Sequence, residues 1–372
     1  MSINSKILSV TPIHLSIPLA KPVFVSTFHM KSVETCLVKV RTTNGLEGLG
    51  WCFSFGPERA RALVAMVRDL AGILTGKDPT KLEENWECMR KSVSFVGRDG
   101  ISAMAISSLD TACWDISAKI HEVPLWKFLG GRRNRIRCYA SEGLWLNYSI
   151  EQLQEEALFF KNKGFGGMKL RVGKKDLKED IDRISAVRET IGKKMNLMVD
   201  VNQGWNQQKA FEAIESFKPF DLTWIEEPVD HEDYSLCSEV KRKSTIPICS
   251  GETNYNVGGM LRLLSDDCVD FLMPDLQRCS GITGWKKVSA IAKEFSVPIT
   301  SHLFHEVSSH LMSLEEENCW CEYMPWWDCV FEKSCEVSKG EIILSQELGL
   351  GLKISDEALE KFAPPLGGGT NG

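Results

Sequence analysis

The 372-residue chain reads as an α/β protein, a (βα)8-type barrel preceded by a smaller α+β domain. Three observations carry that reading. Eight short apolar runs alternate with helical patterns after residue 135. The first 130 residues are patterned differently, with strands first and helices after. Finally, Asp200, Glu226, Glu252, Asp275, His302 and Glu322 each close a short apolar run, at gaps of 26, 26, 23, 27 and 20 residues. A strand with its return helix takes about that length.

Taken in order, residues 6–18 and 35–42 alternate like strands. The stretch VETCLVKVRTTNGLEGLGW predicts a hairpin, with apolar alternation, a Thr-Asn-Gly turn and a glycine-rich return. Helical periodicity follows from Glu58 to Leu74 and from Ile101 to Ile120. Strands before helices suggest an α+β unit over residues 1–130, and Leu129-Gly130-Gly131-Arg132-Arg133 punctuates its end. Residues 131–340 form the barrel. Its strand candidates are 136–141, 167–171, 196–200, 223–227, 246–251, 270–274, 298–301 and 318–322, with helices such as 151–163, 178–191, 207–217 and 284–295 between them. Residues 341–372 hold the strand-like EIILS, a short helix and a glycine-rich end expected to be mobile.

Composition narrows the function. With 43% apolar and 25% charged residues and a net charge of −6 without a basic block, the chain suits neither nucleic acid nor an anionic membrane. No run reaches transmembrane length, and the start lacks an apolar signal region, so a cytoplasmic location is expected. The thirteen cysteines form no C-x-x-C pair and read as reduced, mostly buried thiols.

Strand ends of a parallel barrel converge on one mouth, where the chemistry of that fold is found. Asp200, Glu226 and Glu252, from three consecutive strands, offer the hard oxygens that Mg²⁺ prefers, with its remaining positions open to a substrate. Asn202, two residues beyond Asp200, faces the same way and could brace a ligand or touch substrate. Asp275 and His302 end neighbouring strands; a carboxylate on one ring nitrogen fixes the tautomer and raises the basicity of a general base. His305 makes His-x-x-His with His302, but the companion spacings of a zinc site are missing. Lys169 and Arg171, two apart on a strand, can hold a substrate carboxylate and neutralise charge developing on it. Glu322 either donates a hydrogen bond to that carboxylate, if neighbouring acids keep it protonated, or pairs with a barrel cation. Trp51, Phe53, Trp145, Tyr323 and Trp326 are candidate pocket walls, and Asn202, His29 and Asn254 suit hydroxyl recognition. Together the groups suit removal of a proton next to a carboxylate, which doubles its negative charge as an enediolate forms.

The stretches GMKLRVG, NLMVDVNQGW, TWIEEP, SGET, FLMPD, GITGW, TSHLFHE and WCEY, with LDTACWDISAKIHEVPLWKFLGG in the first domain, resemble the mandelate racemase subgroup of the enolase superfamily over nearly the whole chain. The resemblance implies a capping domain over a modified TIM barrel, with the C-terminal segment returning to the cap. It also implies Mg²⁺ on Asp200, Glu226 and Glu252, a His302–Asp275 general base, Glu322 donating to the substrate carboxylate, and Lys169 beside that carboxylate. Cap loops at Phe24–Met30 and Trp51–Phe55 would close over the substrate. One departure matters. Arg171 stands where a two-base racemase has its second lysine, and a guanidinium is a poor base. The expected reaction is therefore dehydration of an acid sugar (aldonate or aldarate) to a 2-keto-3-deoxy acid, with racemisation or epimerisation of a 2-hydroxy acid as the alternative. A homo-oligomer is the general expectation for such an enzyme.

Overall fold

The computed structural model describes residues 5–364. The first domain opens with an antiparallel sheet in the order β1 (Ile7–Phe24), β2 (His29–Thr42), β3 (Glu47–Ser54). The strand expected over 6–18 continues to Phe24 and pairs with a partner that begins at His29, with a break in register between Pro18 and Val23. This long ribbon carries the chain out over the barrel mouth. Three helices, α1 (Pro57–Leu74), α2 (Leu82–Ser92) and α3 (Ile101–Ile120), cover the sheet. Val38 and Val40 of the sheet meet Leu63, Val67, Ile106 and Leu109 of the helices in one buried cluster. The helix α2 was not expected; its sequence LEENWECMRKS buries only Asn85, Trp86 and Met89, too few to show a period.

The glycine-rich return strand has a packing reason. A Cβ on Gly48 would lie 2.2 Å from the Ala112 carbonyl oxygen, and one on Gly50 would lie 2.0 Å from that of Ser108. Only glycine lets β3 rest directly on the α3 backbone.

After the short α4 (Leu125–Phe128), the alternation begins. It runs β4 (Arg135–Ala140), α5 (Ile150–Asn162), β5 (Gly167–Arg171), α6 (Leu177–Ile191), β6 (Asn196–Asp200), α7 (Gln207–Phe217), β7 (Trp224–Glu226), α8 (Tyr234–Lys243), β8 (Ile248–Ser250), α9 (Asn256–Ser265), β9 (Phe271–Leu272), α10 (Ile282–Glu294), α11 (His305–Met312) and β10 (Cys321–Tyr323). Neighbouring strands from β4 to β9 pair in parallel. The seventh stave, expected at 298–301, is held by single bridges, Leu272 to Ile299 and Asp275 to His302. Pro298 has no N–H to give, but its carbonyl accepts from Leu272 N at 2.9 Å. Ser301 N donates to the Trp320 carbonyl at 3.1 Å, and β10 pairs in parallel with β4, so the ring closes. Tyr139, Met198, Trp224, Cys249, Met273 and Trp320 plug its interior.

No long helix follows β10. A hairpin of β11 (Glu336–Ser338) and β12 (Glu341–Ile343) pairs with the start of β4 instead. The chain then returns to the first domain: Gly349 O accepts from Leu125 N at 2.6 Å, and Phe362 O, just past α12 (Asp356–Lys361), accepts from Ser16 N at 2.8 Å. The expected glycine-rich end lies mostly outside the described residues. All thirteen cysteines are unpaired thiols and ten are buried. Among the described residues no helix is long and apolar enough to cross a membrane.

Gly50→Ala should destabilise the protein by about 1–3 kcal/mol or more, because the added methyl meets backbone that cannot turn aside. Thermal or denaturant unfolding checks this, and a wild-type midpoint would refute the close-packing account.

Candidate active site

Strand register sets one row of charge across the mouth, since Arg171, Asp200 and Glu226 are direct neighbours on β5, β6 and β7. Two residues earlier on the same face lie plug residues, with Met198 below Asp200, Trp224 below Glu226, Met273 below Asp275 and Trp320 below Glu322. The packed interior thus fixes the height at which each polar group emerges.

The groups enclose a cavity of about 270 Å³. The barrel contributes Lys169, Arg171, Asp200, Asn202, Glu252, His302 and Glu322 to its lining. Glu226 and Asp275 lie just behind, fully buried. Lys169 Nζ sits 2.6 Å from Glu226 Oε1, 2.8 Å from Glu322 Oε1 and 3.7 Å from Asp200 Oδ2. His302 Nδ1 pairs with Asp275 Oδ2 at 2.8 Å, while its Nε2 lies 3.3 Å from Glu252 Oε2. Asp275 Oδ1 accepts from Arg278 N at 2.9 Å, which holds the carboxylate in line with the ring. Arg171 Nη2 donates to Ser141 Oγ at 3.2 Å, and its Nε is 3.5 Å from Asp200 Oδ2. Its Nε and Nη1 are buried without a hydrogen-bond partner.

Burial dominates the acid–base properties. It pushes the Glu226 carboxyl up to about 8 despite Lys169, and that of Glu252 up to about 7 despite His302. Burial works against a charged His302, but Glu252 and the Asp275 hydrogen bond outweigh it and raise the imidazole to about 9. For Glu322, burial is overcome by Lys169, His302 and Arg171, which hold the carboxyl well below the usual range. Glu322 accepts from Ser141 Oγ at 2.5 Å and Leu303 N at 2.7 Å besides facing Lys169. The expectation of a protonated Glu322 is corrected accordingly. Its neighbours are donors rather than acids, so it stands here as an anion paired with a barrel cation.

Asp200, Glu226 and Glu252 are the expected metal ligands. Their oxygens do not all lie within 4.8 Å of one another, because Glu252 faces His302 and Lys169 faces Glu226. Glu252 Oε2 is nevertheless buried without a hydrogen-bond partner, and burial drives both glutamates towards the protonated form. Two buried carboxylates and a third at the cavity edge, on consecutive staves and with both glutamates disfavoured as anions by burial, fit a hard divalent cation.

Several expectations about the pocket need correction. Trp51 is buried against Phe304, Trp327 and Phe331, filling the seam between domains rather than lining the cavity. His29 is exposed and stacks on Phe24 at 5.5 Å, turned away from the mouth. Tyr323 alternates outward and stacks on His305. Asn254 is tied to Tyr234 and does not line the space. Phe53, Trp145 and Trp326 do line it. His305 shares no site with His302. It lies buried with Glu306 and Asp328, its Nδ1 3.6 Å and its Nε2 3.3 Å from their carboxylates.

Sequence reasoning missed Gln203, Glu227, Thr253 and Arg278, which also line the cavity. Glu227 follows Glu226 directly, yet a left-handed backbone at φ 39° brings it to the mouth as well. There it accepts from Gln203 Nε2 at 2.8 Å and Thr253 Oγ1 at 3.3 Å. The doubled glutamate of TWIEEP was the available signal.

A closed barrel with acids at successive strand ends, a His–Asp pair opposite a lysine and an α+β lid is the layout of an enolase-type protein. Residues 7–130 match the mandelate racemase/muconate lactonizing enzyme N-terminal domain, and residues 152–358 match the enolase C-terminal domain-like family. The chain belongs to the mandelate racemase/muconate lactonizing enzyme family of the enolase superfamily. It is 32% identical over 350 residues to L-talarate/galactarate dehydratase of Salmonella typhimurium, covering 92% of this chain and 87% of that one. The crystal structure of that dehydratase with Mg and L-lyxarohydroxamate superposes with a TM-score of 0.93 at 30% identity, covering 97% of this chain and 93% of that one. A racemase from Streptomyces coelicolor with bound magnesium also gives 0.93 at 30% identity, covering 96% of this chain and 100% of that one.

The raised groups predict a pH effect. Glu226, Glu252 and His302 each bind a proton more tightly folded than unfolded, so their stabilising effect is complete below the ordinary values of 4.5, 4.5 and 6.5. It is lost as pH rises through about 7 for Glu252, about 8 for Glu226 and about 9 for His302. In chelator, the melting temperature should fall between pH 6 and 9, and Glu226→Gln should flatten that fall. A flat wild-type profile by scanning fluorimetry would contradict the assignment.

Proposed function

We propose that the protein is a Mg²⁺-dependent hydro-lyase that removes the α-proton of an acid sugar and expels the β-hydroxyl, giving a 2-keto-3-deoxy acid. The observation that carries the reading is the His302–Asp275 pair facing the cavity opposite Lys169, with Arg171 in place of a second base. The substrate carboxylate enters beside Asp200, Glu226 and Glu252. The ion they would hold supplies fixed positive charge next to it.

His302 is fixed by Asp275 and turns Nε2 to the cavity side, 3.3 Å from Glu252 Oε2. As the neutral imidazole it takes the C2 proton, and the electron pair moves into the carboxyl group as an enediolate. Lys169 and the unpaired Nε and Nη1 of Arg171 donate to the charge that grows there. The imidazolium then returns its proton to the departing C3 hydroxyl, which leaves as water, and the enol tautomerises to the ketone. Glu322 acts here as the anion that orients Lys169. Because His302 binds its proton tightly in the metal-free protein, substrate and ion must release it for the base to work. The free thiols suit a reducing compartment such as the cytoplasm, and symmetric self-assembly is expected.

The racemase likeness keeps epimerisation as the second reading. The two part on one experiment, incubation of acid sugars with enzyme and Mg²⁺ in deuterated water. Dehydration predicts 2-keto product, with unreacted substrate keeping its configuration at C2. Inversion at C2 without keto product would replace this reading with the second. His302→Asn should lower both α-proton exchange and dehydration by about 10²–10⁴-fold or more. Full dehydration by that variant would remove His302 from its role.

A further inference from the structure

The cavity is built from two unlike halves. Its floor, from the strand ends, carries all its charge. Its roof comes from the first domain and consists of Val23, Val25, Phe28, Met30, Phe53 and Phe55, with Thr27 the only polar member. The aromatic rings are continuous: Phe28 lies 5.2 Å from Phe55, Phe55 lies 5.5 Å from Phe53, and Phe53 lies 6.0 Å from Trp326 of the facing wall. The polar residues of the same loops turn elsewhere. His29 stacks on Phe24 outside the space, and Arg59 gives Nη1 to the Phe55 carbonyl at 2.6 Å.

The cations of the lining, Lys169, Arg171 and Arg278, all stand on the floor, and the roof has none. Lys169 is shared between Glu226 and Glu322. Arg171 faces Asp200 and lies over the Trp145 ring. Arg278 donates to the Glu252 carbonyl at the strand end, with its Nε unpaired there. The unpaired polar atoms that could meet hydroxyls, Asn202 Oδ1, Glu227 Oε1, Glu252 Oε2, Arg278 Nε and Arg171 Nε and Nη1, are also on the floor. A carboxylate under the roof would be desolvated against phenyl rings with no counter-charge, whereas a methyl or a carbon ring face would be in its preferred surroundings.

We infer that the substrate is a monocarboxylic acid sugar with its hydroxyls near the carboxylate and an apolar far end, such as a terminally deoxygenated aldonate, and not a sugar diacid. This rests on the acid-sugar reading above and separates the protein from its talarate/galactarate-acting relative. Phe28, Phe53 and Phe55 are the residues that set the preference.

The experiment uses two acids with the same six-carbon chain, 2-hydroxyhexanoate and 2-hydroxyadipate, which differ only in ending in a methyl or a carboxylate. Calorimetric titration of the Mg²⁺-loaded protein should show the hexanoate binding more tightly by on the order of tenfold or more. Phe55→Arg, checked for folding by its melting curve, should narrow or reverse that ratio. Adipate binding equal to or tighter than hexanoate in the wild type would overturn the inference, whether or not the variant folds. Exchange of the α-proton of each acid into deuterated water is followed separately. A binding preference without exchange rejects the proposed reaction but not the pocket, and exchange without the preference does the reverse.

Discussion

Buried charge must find its opposite, and the mouth of this barrel is organised around that requirement. Asp200, Glu226, Glu227, Glu252, Asp275 and Glu322 are gathered in one small region with Lys169, Arg171 and Arg278. Away from water no member of such a set is stable unless its neighbours compensate it. The distribution is uneven. Around Glu322 the donors outnumber the acids and the carboxylate stays charged; around Glu226 and Glu252 the acids predominate and burial favours protonation. The local shortage of positive charge falls on the side where three staves present hard oxygens. The fold therefore builds a demand for a cation at the point where a substrate carboxylate has to be received.

Such a site works only if it is dry, and the first domain excludes water because it is bonded to the staves themselves. Ser26 Oγ donates to the Val201 carbonyl at 2.5 Å, one residue past Asp200. Phe53 N donates to Gln277 Oε1 at 3.0 Å, two residues past Asp275. Asp110 of α3 accepts from Thr283 N at 2.8 Å and Oγ1 at 2.6 Å at the start of α10. The roof loops are thus fastened near the very residues they cover.

Legibility in the sequence followed the same division. The staves could be read because a parallel barrel imposes a period and each charged end interrupts an apolar run; NLMVD, TWIEE and FLMPD carry both signals in five residues. Lys169, Arg171 and His302 came with them because alternation fixes their side of the strand. What failed was whatever depended on a turn. His29 and Trp51 belong to the right loops but face away, and no local rule tells which way a side chain leaves an irregular ribbon. Glu227 was hidden because a left-handed residue at a strand end breaks the alternation that would have sent it outward. The choice between the two readings of Glu322 was closed to the sequence for a different reason. Protonation depends on the sum of its neighbours, and the Lys169, His302 and Arg171 charges that decide it come from two other staves.

The substitution of arginine for lysine at position 171 has a consequence that reaches the stereochemistry. Among the floor's nitrogen bases only His302 reaches the cavity with a proton it can give up, once substrate and ion relieve the field of Glu252. Lys169 is locked as a cation between two carboxylates, which raise its proton affinity further against the effect of burial. Arg171 can donate hydrogen bonds but not protons. In the dehydration proposed above, one imidazole would serve as base at C2 and as acid at C3, and one imidazole can reach only one face of the substrate. The proton and the hydroxyl leave from the same side, and the opposite face is left to hydrogen bonds that hold the enediolate without reprotonating it. A lysine at 171 would open that face to proton return. The guanidinium keeps it shut, so the intermediate's easiest exit is loss of water.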